Sequence, residues 1–153
     1  MAKPVSRENA LAAVLSCAEH LHDHLPADNV ARRLERKLVD FDFDGGTMTL
    51  EFPVREWMAN SVGLLHGGML AMCADMACAA FAHVLYDGYA PTVQLSCTYL
   101  RPVSVGDALL FTVHAVHLGG SNAHFTAEIH SKESGALVAT CSDLNFVGKI
   151  GRS

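Results

Sequence analysis

Two features of the stretch NSVGLLHGGMLAMCADMACAAFAHVLY, Asn60 to Tyr86, could do chemistry. The first is Asp75, the one acid in a run that is otherwise small and apolar. Its helical neighbours at three and four residues include Ala71, Met72, Cys78 and Ala79, none of which can pair with a carboxylate. An isolated buried carboxylate is costly. It is either a base or nucleophile facing a cleft, where desolvation strengthens a carboxylate as a base, or a helix-edge residue bonded to backbone or water. The second feature is His66-Gly67-Gly68 at the start of the same run. Glycines there leave N–H groups without intrahelical partners open to a ligand oxygen, with the helix dipole behind them. That is the chemistry of an oxyanion hole. The alternative is that the glycines permit close packing and His66 caps the helix.

Spacing links the two features. Gly67 and Asp75 are eight residues apart, about 12 Å along a helix, whereas a base and an oxyanion donor acting on one carbonyl must each lie within about 3–4 Å of it. One copy of the chain cannot supply both. Two copies with antiparallel helices across a two-fold axis can, and would form two equivalent sites. A site built from both features therefore predicts an obligate homodimer.

Positioning such a helix requires something around it. From Ser6, a candidate N-cap, apolar residues recur at Leu11, Val14, Leu15, Ala18, Leu21 and Leu25, which predicts a packing helix ending before Pro26. The β-prone runs RKLVDFDF and TMTLEFPV flank Asp44-Gly45-Gly46, a hairpin signal. An irregular stretch, 55–65, leads into the long helix. After the turn Asp87 to Pro91, period-two alternation begins in TVQLSCTYL, with Val93, Leu95, Cys97 and Tyr99 on one face and Thr92, Gln94, Ser96 and Thr98 on the other. Three more runs follow, 108–118, 123–132 and 136–147, parted by GGSN and ESG. The sum is a meander of five or six antiparallel strands with one long apolar helix inserted after the first two, an α+β arrangement. Only a strongly curved sheet wrapped round that helix would bury it on nearly every side.

Bulk properties narrow the rest. At 153 residues, 50% hydrophobic and 18% charged, the chain suits one globular domain with a sizeable core. A net charge of −5 argues against a general grip on nucleic acid; the basic cluster RRLERK, 32–37, reads as a solvated edge. Five scattered cysteines without a C-x-x-C pair indicate neither a disulfide framework nor a zinc ribbon and fit a reducing cytoplasm. ALAAVLSCA, 10–18, is a faint signal-peptide likeness interrupted by Glu8. A membrane span over 64–86 is long enough, but Ala and Met dominate it and Asp75 at its centre opposes insertion, so no membrane association is expected. His20 and His24 in HLHDH stand at metal-ligand spacing without a third ligand, and solvated histidines are the default.

Taken together, Asn60, Gly63, His66-Gly67-Gly68 and Asp75 at these spacings resemble the signature of hot-dog-fold acyl-CoA thioesterases of the PaaI-like branch. The likeness runs from about Val39 to Val147 and takes in YLRPVSVGD, 99–107. It implies a curved antiparallel sheet of five to six strands round a central helix over residues 31–150, with residues 1–30 as an N-terminal helical extension. It also implies Asp75 as general base or nucleophile, Gly67 N–H as donor to the thioester oxygen, Asn60 as an orienter of substrate or water, Thr92 as a hydroxyl near the attacking water and His66 as a chiefly structural residue. Gly68, Arg101, Gly120 and Ser121 are the substrate-contacting candidates. The substrate that the resemblance implies is an acyl-CoA or acyl-carrier-protein thioester, with CoA part of the substrate and no cofactor or metal expected. A homodimer, paired further into a homotetramer, is the implied assembly.

Two departures stand out: Ser61 replaces the usual Pro after Asn60, and the turn GGSN lacks the Arg or Lys that would meet CoA phosphates, leaving Arg101 and Arg55 as cations near the mouth. A hot-dog dehydratase or hydratase, and a non-catalytic acyl-thioester-binding module, are the competing readings.

Overall fold

The computed structural model describes residues 3–20 and 25–148. Helix α1 (Arg7–His20) starts as its sequence implies, with the Asn9 N–H donating to Ser6 Oγ. A short helix α2 (Val30–Arg33), capped by Asn29 Oδ1 accepting from the Ala31 N–H, occupies part of the basic cluster read as a solvated edge. Strands β1 (Lys37–Asp42) and β2 (Thr47–Pro53) form the expected hairpin. Its turn needs a left-handed residue, and Gly46 at φ 64° supplies it. A 3-10 turn (Glu56–Met58) leads to helix α3 (Gly67–Tyr86), then come β3 (Thr92–Tyr99), β4 (Ala108–Leu118), β5 (Asn122–Ser131) and β6 (Leu137–Phe146).

All neighbouring strands are antiparallel, in the order β1-β2-β4-β5-β6-β3. The simple meander is therefore corrected in one respect. The chain leaves the sheet after β2, runs through α3, and lays β3 at the opposite edge beside β6 before returning to pair β4 with β2. This detour carries α3 across the inner face, where the helix packs against β2 to β6. The architecture is the α+β one expected, a curved six-stranded sheet around a long central helix with an N-terminal helix added.

Composition explains the fit. Ala74, Ala77, Cys78 and Ala82 are wholly buried and let α3 approach the sheet, while Phe81 fills the space between Phe41 and Phe125 with ring centroids 6.1 and 5.5 Å away. Phe52 and Phe111 meet edge to face at 5.1 Å. Each buried aromatic stabilises the fold by about 1.5–3 kcal/mol of removed apolar surface. The apolar helix that met the length for a membrane span is thus the core helix. α1 adds Ala10 and Val14 to the same core, and the Val5 N–H bonds the Leu85 carbonyl at 2.7 Å, so α1 covers the C-terminal half of α3.

A second correction concerns β3. Strict alternation puts Thr92 on the outer face, but Thr92 pairs with Asn145 and Gln94 with Leu144, leaving Val93 as a bulged extra residue. The bulge reverses parity and turns the Thr92 hydroxyl toward Asn145 and Asp75, while the residue stays exposed at the sheet edge. Farther along, Leu95 and Cys97 are half-buried, whereas Val93 and Tyr99 remain exposed at this free edge. The HLHDH segment lies outside the described residues apart from the backbone of His20.

Candidate active site

The first turn of α3 is built to offer one N–H. His66 is the N-cap, and its Nδ1 accepts from the Gly68 N–H at 2.9 Å. In the neutral ring this puts the imidazole proton on Nε2. A Cβ at position 68 would lie 3.1 Å from His66 Nδ1, so glycine keeps the cap close. Gly68, a substrate-contacting candidate, therefore spends its N–H on His66, and the Gly67 N–H is the donor left to a ligand.

Gly67 lines a cleft of about 360 Å³ with Asn60, Leu70, Tyr99, Arg101 and Val103. Asn60 Oδ1 accepts from the N–H groups of Val62 and Leu64 at 3.0 and 3.1 Å, which folds the loop into α3 and leaves the amide nitrogen for another acceptor. Gly63 completes that loop at φ 80°. Tyr99 hydroxyl donates to the Gly67 carbonyl at 2.9 Å, tying β3 to the helix start. Arg101 is exposed at the rim with its guanidinium on the Leu137 carbonyl. Arg55 pairs instead with Glu35.

Two turns along α3 the chemistry changes. Asp75 is half-buried, and Thr92 Oγ1–H donates to its Oδ1 at 2.6 Å, a short charge-assisted bond. Asp75 is thus neither a backbone-bonded helix-edge residue nor isolated. Behind the pair lie two residues that the sequence reading missed. Asp143 and Asn145 on β6 are wholly buried, and both Asp143 oxygens and Asn145 Oδ1 are without hydrogen-bond partners. Burial and the neighbouring Asp75 carboxylate push Asp143 up to about 7, against a smaller opposing effect of Asn145. Cys78 faces this cluster from α3, and its thiol is pushed well up by burial and by Asp143 and Asp75. Alternation could have paired Asp143 with Asn145 but not chosen their face, because Leu144 and Phe146 offer an equally apolar row.

The site residues therefore fall into separate groups in one chain. Asn60, Gly67 and Arg101 share the cleft; Asp75 and Thr92 share a hydrogen bond; Gly120 and Ser121 sit in the β4–β5 turn, where the Gly119 carbonyl accepts from Tyr86 hydroxyl at the far end of α3. Among the described residues no group of three His, Cys, Asp or Glu is arranged to hold a metal ion.

A helix wrapped by a six-stranded antiparallel sheet, with a glycine N–H at its start and a carboxylate two turns on, defines a hot-dog-fold protein of PaaI-like form. The family model of the thioesterase superfamily matches residues 62–138, and the chain belongs to that superfamily as a thioester hydrolase. It is similar to human acyl-coenzyme A thioesterase 13, 28% identical over 129 residues that span 81% of this chain and 91% of the relative. Among solved structures, the Escherichia coli PaaI protein of the phenylacetic acid degradation operon superposes with a TM-score of 0.75 over 94% of this chain and 95% of its own, at 24% identity, a likeness of fold. A Streptococcus mutans UA159 protein solved bound to acetyl CoA gives a TM-score of 0.67 at 25% identity over 84% of this chain and 95% of that one.

Proposed function

We propose that the protein hydrolyses acyl-CoA thioesters in a site completed by a second copy of the chain. The observation that carries this reading is the division of labour along α3: an unspent Gly67 N–H in a cleft at one position, and a carboxylate held by a threonine hydroxyl about 12 Å farther along the same helix. In an antiparallel pair of helices, Gly67 of one copy stands beside Asp75 of the other. The thioester oxygen would accept from the Gly67 N–H, with Asn60 orienting the substrate. Asp75, as base or nucleophile, would deliver water to the carbonyl carbon or attack it. Negative charge then develops where the N–H and the helix dipole favour it, and the thiolate leaves without needing a strong acid.

The free edge favours the same assembly. Among the described residues β3 pairs only with β6, and it exposes Val93, Tyr99 and Leu100, apolar surface that a second β3 and α3 would cover. The outer sheet face, with Ser96, Thr98, Thr126 and Thr140 in a shallow depression, is where two dimers would meet as a tetramer. Relatives named for acyl-coenzyme A and bound to acetyl CoA support a CoA carrier over a protein one. The free thiols Cys73, Cys78, Cys97 and Cys141 suit a reducing cytoplasm.

The test is thiol release from short, medium, long and aryl-acyl CoA esters by the wild type and by Asp75→Asn. Release that falls on the order of 10²–10⁴-fold in the variant supports the assignment. Equal release by both proteins would remove Asp75 from the mechanism, and none from any ester would point to a binding module.

A further inference from the structure

Asn145 lies on the inner face of β6, wholly buried, next to the last residue of the strand. Its Nδ2 is 3.3 Å from the Ala90 carbonyl and 3.2 Å from Thr92 Oγ1. A carbonyl can only accept, so Ala90 dictates which way the amide points, and Nδ2 must also be the donor to Thr92. Thr92 Oγ1 then has one proton left to give. It lies 2.6 Å from Asp75 Oδ1, and a carboxylate can only accept. The order of donation is thereby fixed from Asn145 through Thr92 to Asp75. The Val93 bulge, which sets Thr92 opposite Asn145, makes this line possible.

We propose that Asn145 is a positioning residue for Asp75: by directing the Thr92 hydroxyl onto Oδ1 it leaves Oδ2 as the oxygen that meets water or substrate. This rests on the reading of Asp75 as the base or nucleophile. Without Asn145, the threonine hydroxyl is free to turn toward other acceptors and the carboxylate to rotate. The chain keeps the amide at a cost, since Asn145 Oδ1 is buried without a donor, a penalty that an apolar side chain of the same size avoids.

The experiment is steady-state thiol release from an acyl-CoA ester by Asn145→Leu, Thr92→Val, the double variant and Asp75→Asn. Asn145→Leu should lower kcat about 10- to 100-fold with KM changed less than about twofold, as misplacement of one reacting atom does. In the Thr92→Val background it should lower kcat no further, because the amide then has no hydroxyl to direct. In Thr92→Ser, which keeps the hydroxyl, Asn145→Leu should act by the same factor as in the wild type. A loss in KM alone, additive losses, or wild-type kcat in Asn145→Leu overturns the proposal. Full activity in Asp75→Asn instead overturns the reading beneath it. Should Asn145→Leu not fold, selective ¹⁵N-asparagine labelling reads the same line without it. Asp75→Asn should then move the Asn145 side-chain amide signal when residue 92 is threonine and leave it in place after Thr92→Val; a signal indifferent to Asp75→Asn in both backgrounds overturns the proposal.

Discussion

The first turn of α3 and its middle, two turns apart, do their work with opposite materials. At the start, the polar group on offer is backbone: the Gly67 N–H, left over after His66 has taken that of Gly68, with Asn60 folding the approach through its own local bonds. In the middle, the polar groups set around Asp75 are side chains from distant strands: Thr92 from β3, and Asp143 and Asn145 from β6. The start is largely exposed and carries no acid; the middle runs from exposed Thr92 and half-buried Asp75 to wholly buried Asp143 and Asn145, and holds two acids. A donor made of backbone survives most substitutions and fails only when its N–H is removed, whereas a side-chain array fails at any link.

That contrast is broken most decisively by removing each half without disturbing the other. Gly67 is the first helical residue, and His66 before it has φ −68° and ψ 131°, a backbone suited to a following proline. Gly67→Pro deletes the one N–H while keeping the helix start, and a Cβ there meets Tyr99 at 3.4 Å, ordinary contact. Its kcat should fall about 10²–10³-fold with the melting temperature held. Asp75→Asn should fall comparably or further. Mixed by subunit exchange, the two inactive proteins should regain about one quarter of wild-type activity, because half the dimers are then hybrid and each hybrid has one intact site. A mixture as inactive as its components would place the whole site within one chain.

A smaller effect sharpens the burial side of the comparison. In the folded protein the Asp143 carboxyl is raised to about 7, from an ordinary value of 3.8, so it holds its proton on the acid side of neutrality. A carboxyl raised on folding favours the native state most fully below the unfolded value, and that contribution drains away as pH rises through the folded one. Thermal stability should therefore decline between about pH 4 and pH 7 and level off above. The expected span is on the order of 2 kcal/mol once solvent screening is allowed for. Asp143→Asn should flatten that slope in calorimetric melts across the range, and an unchanged slope would mean that Asp143 is ionised throughout.

How legible each half was follows from the same difference. Gly67, His66 and Asp75 are near in sequence and lie on or at the start of one helix, so their spacing carried their relative placement along α3. Helix α3 and all six strands could likewise be read from periodicity and turn residues, because those signals are local. Thr92 was placed on the wrong face by strict alternation, since nothing in TVQ announces the bulge at Val93. Asp143 and Asn145 went unseen because TCSDLNFV is amphipathic in neither phase: Cys141 and Val147 face inward, while Leu144 and Phe146 on the other row are half-buried. The position of β3 beside β6 depends on the sheet closing round α3, a property of the whole chain and of no segment in it.

The smallest expected effect concerns His66, the one side chain at the helix start that could act either as scaffold or as a proton carrier. As scaffold, its work is the Nδ1 bond to the Gly68 N–H. His66→Ala should then cost about 1 kcal/mol, a lost N-cap, and lower kcat only as far as the first turn frays. Asparagine is itself a favoured N-cap, so His66→Asn should restore the melting temperature and return kcat to within a few-fold of wild type. If Nε2–H instead touches the thioester or the departing sulfur, asparagine repairs stability alone. A variant with wild-type melting and a kcat reduced on the order of 100-fold would then move His66 from the scaffold into the chemistry. It would also erase the contrast drawn between a start made of backbone and a middle made of side chains.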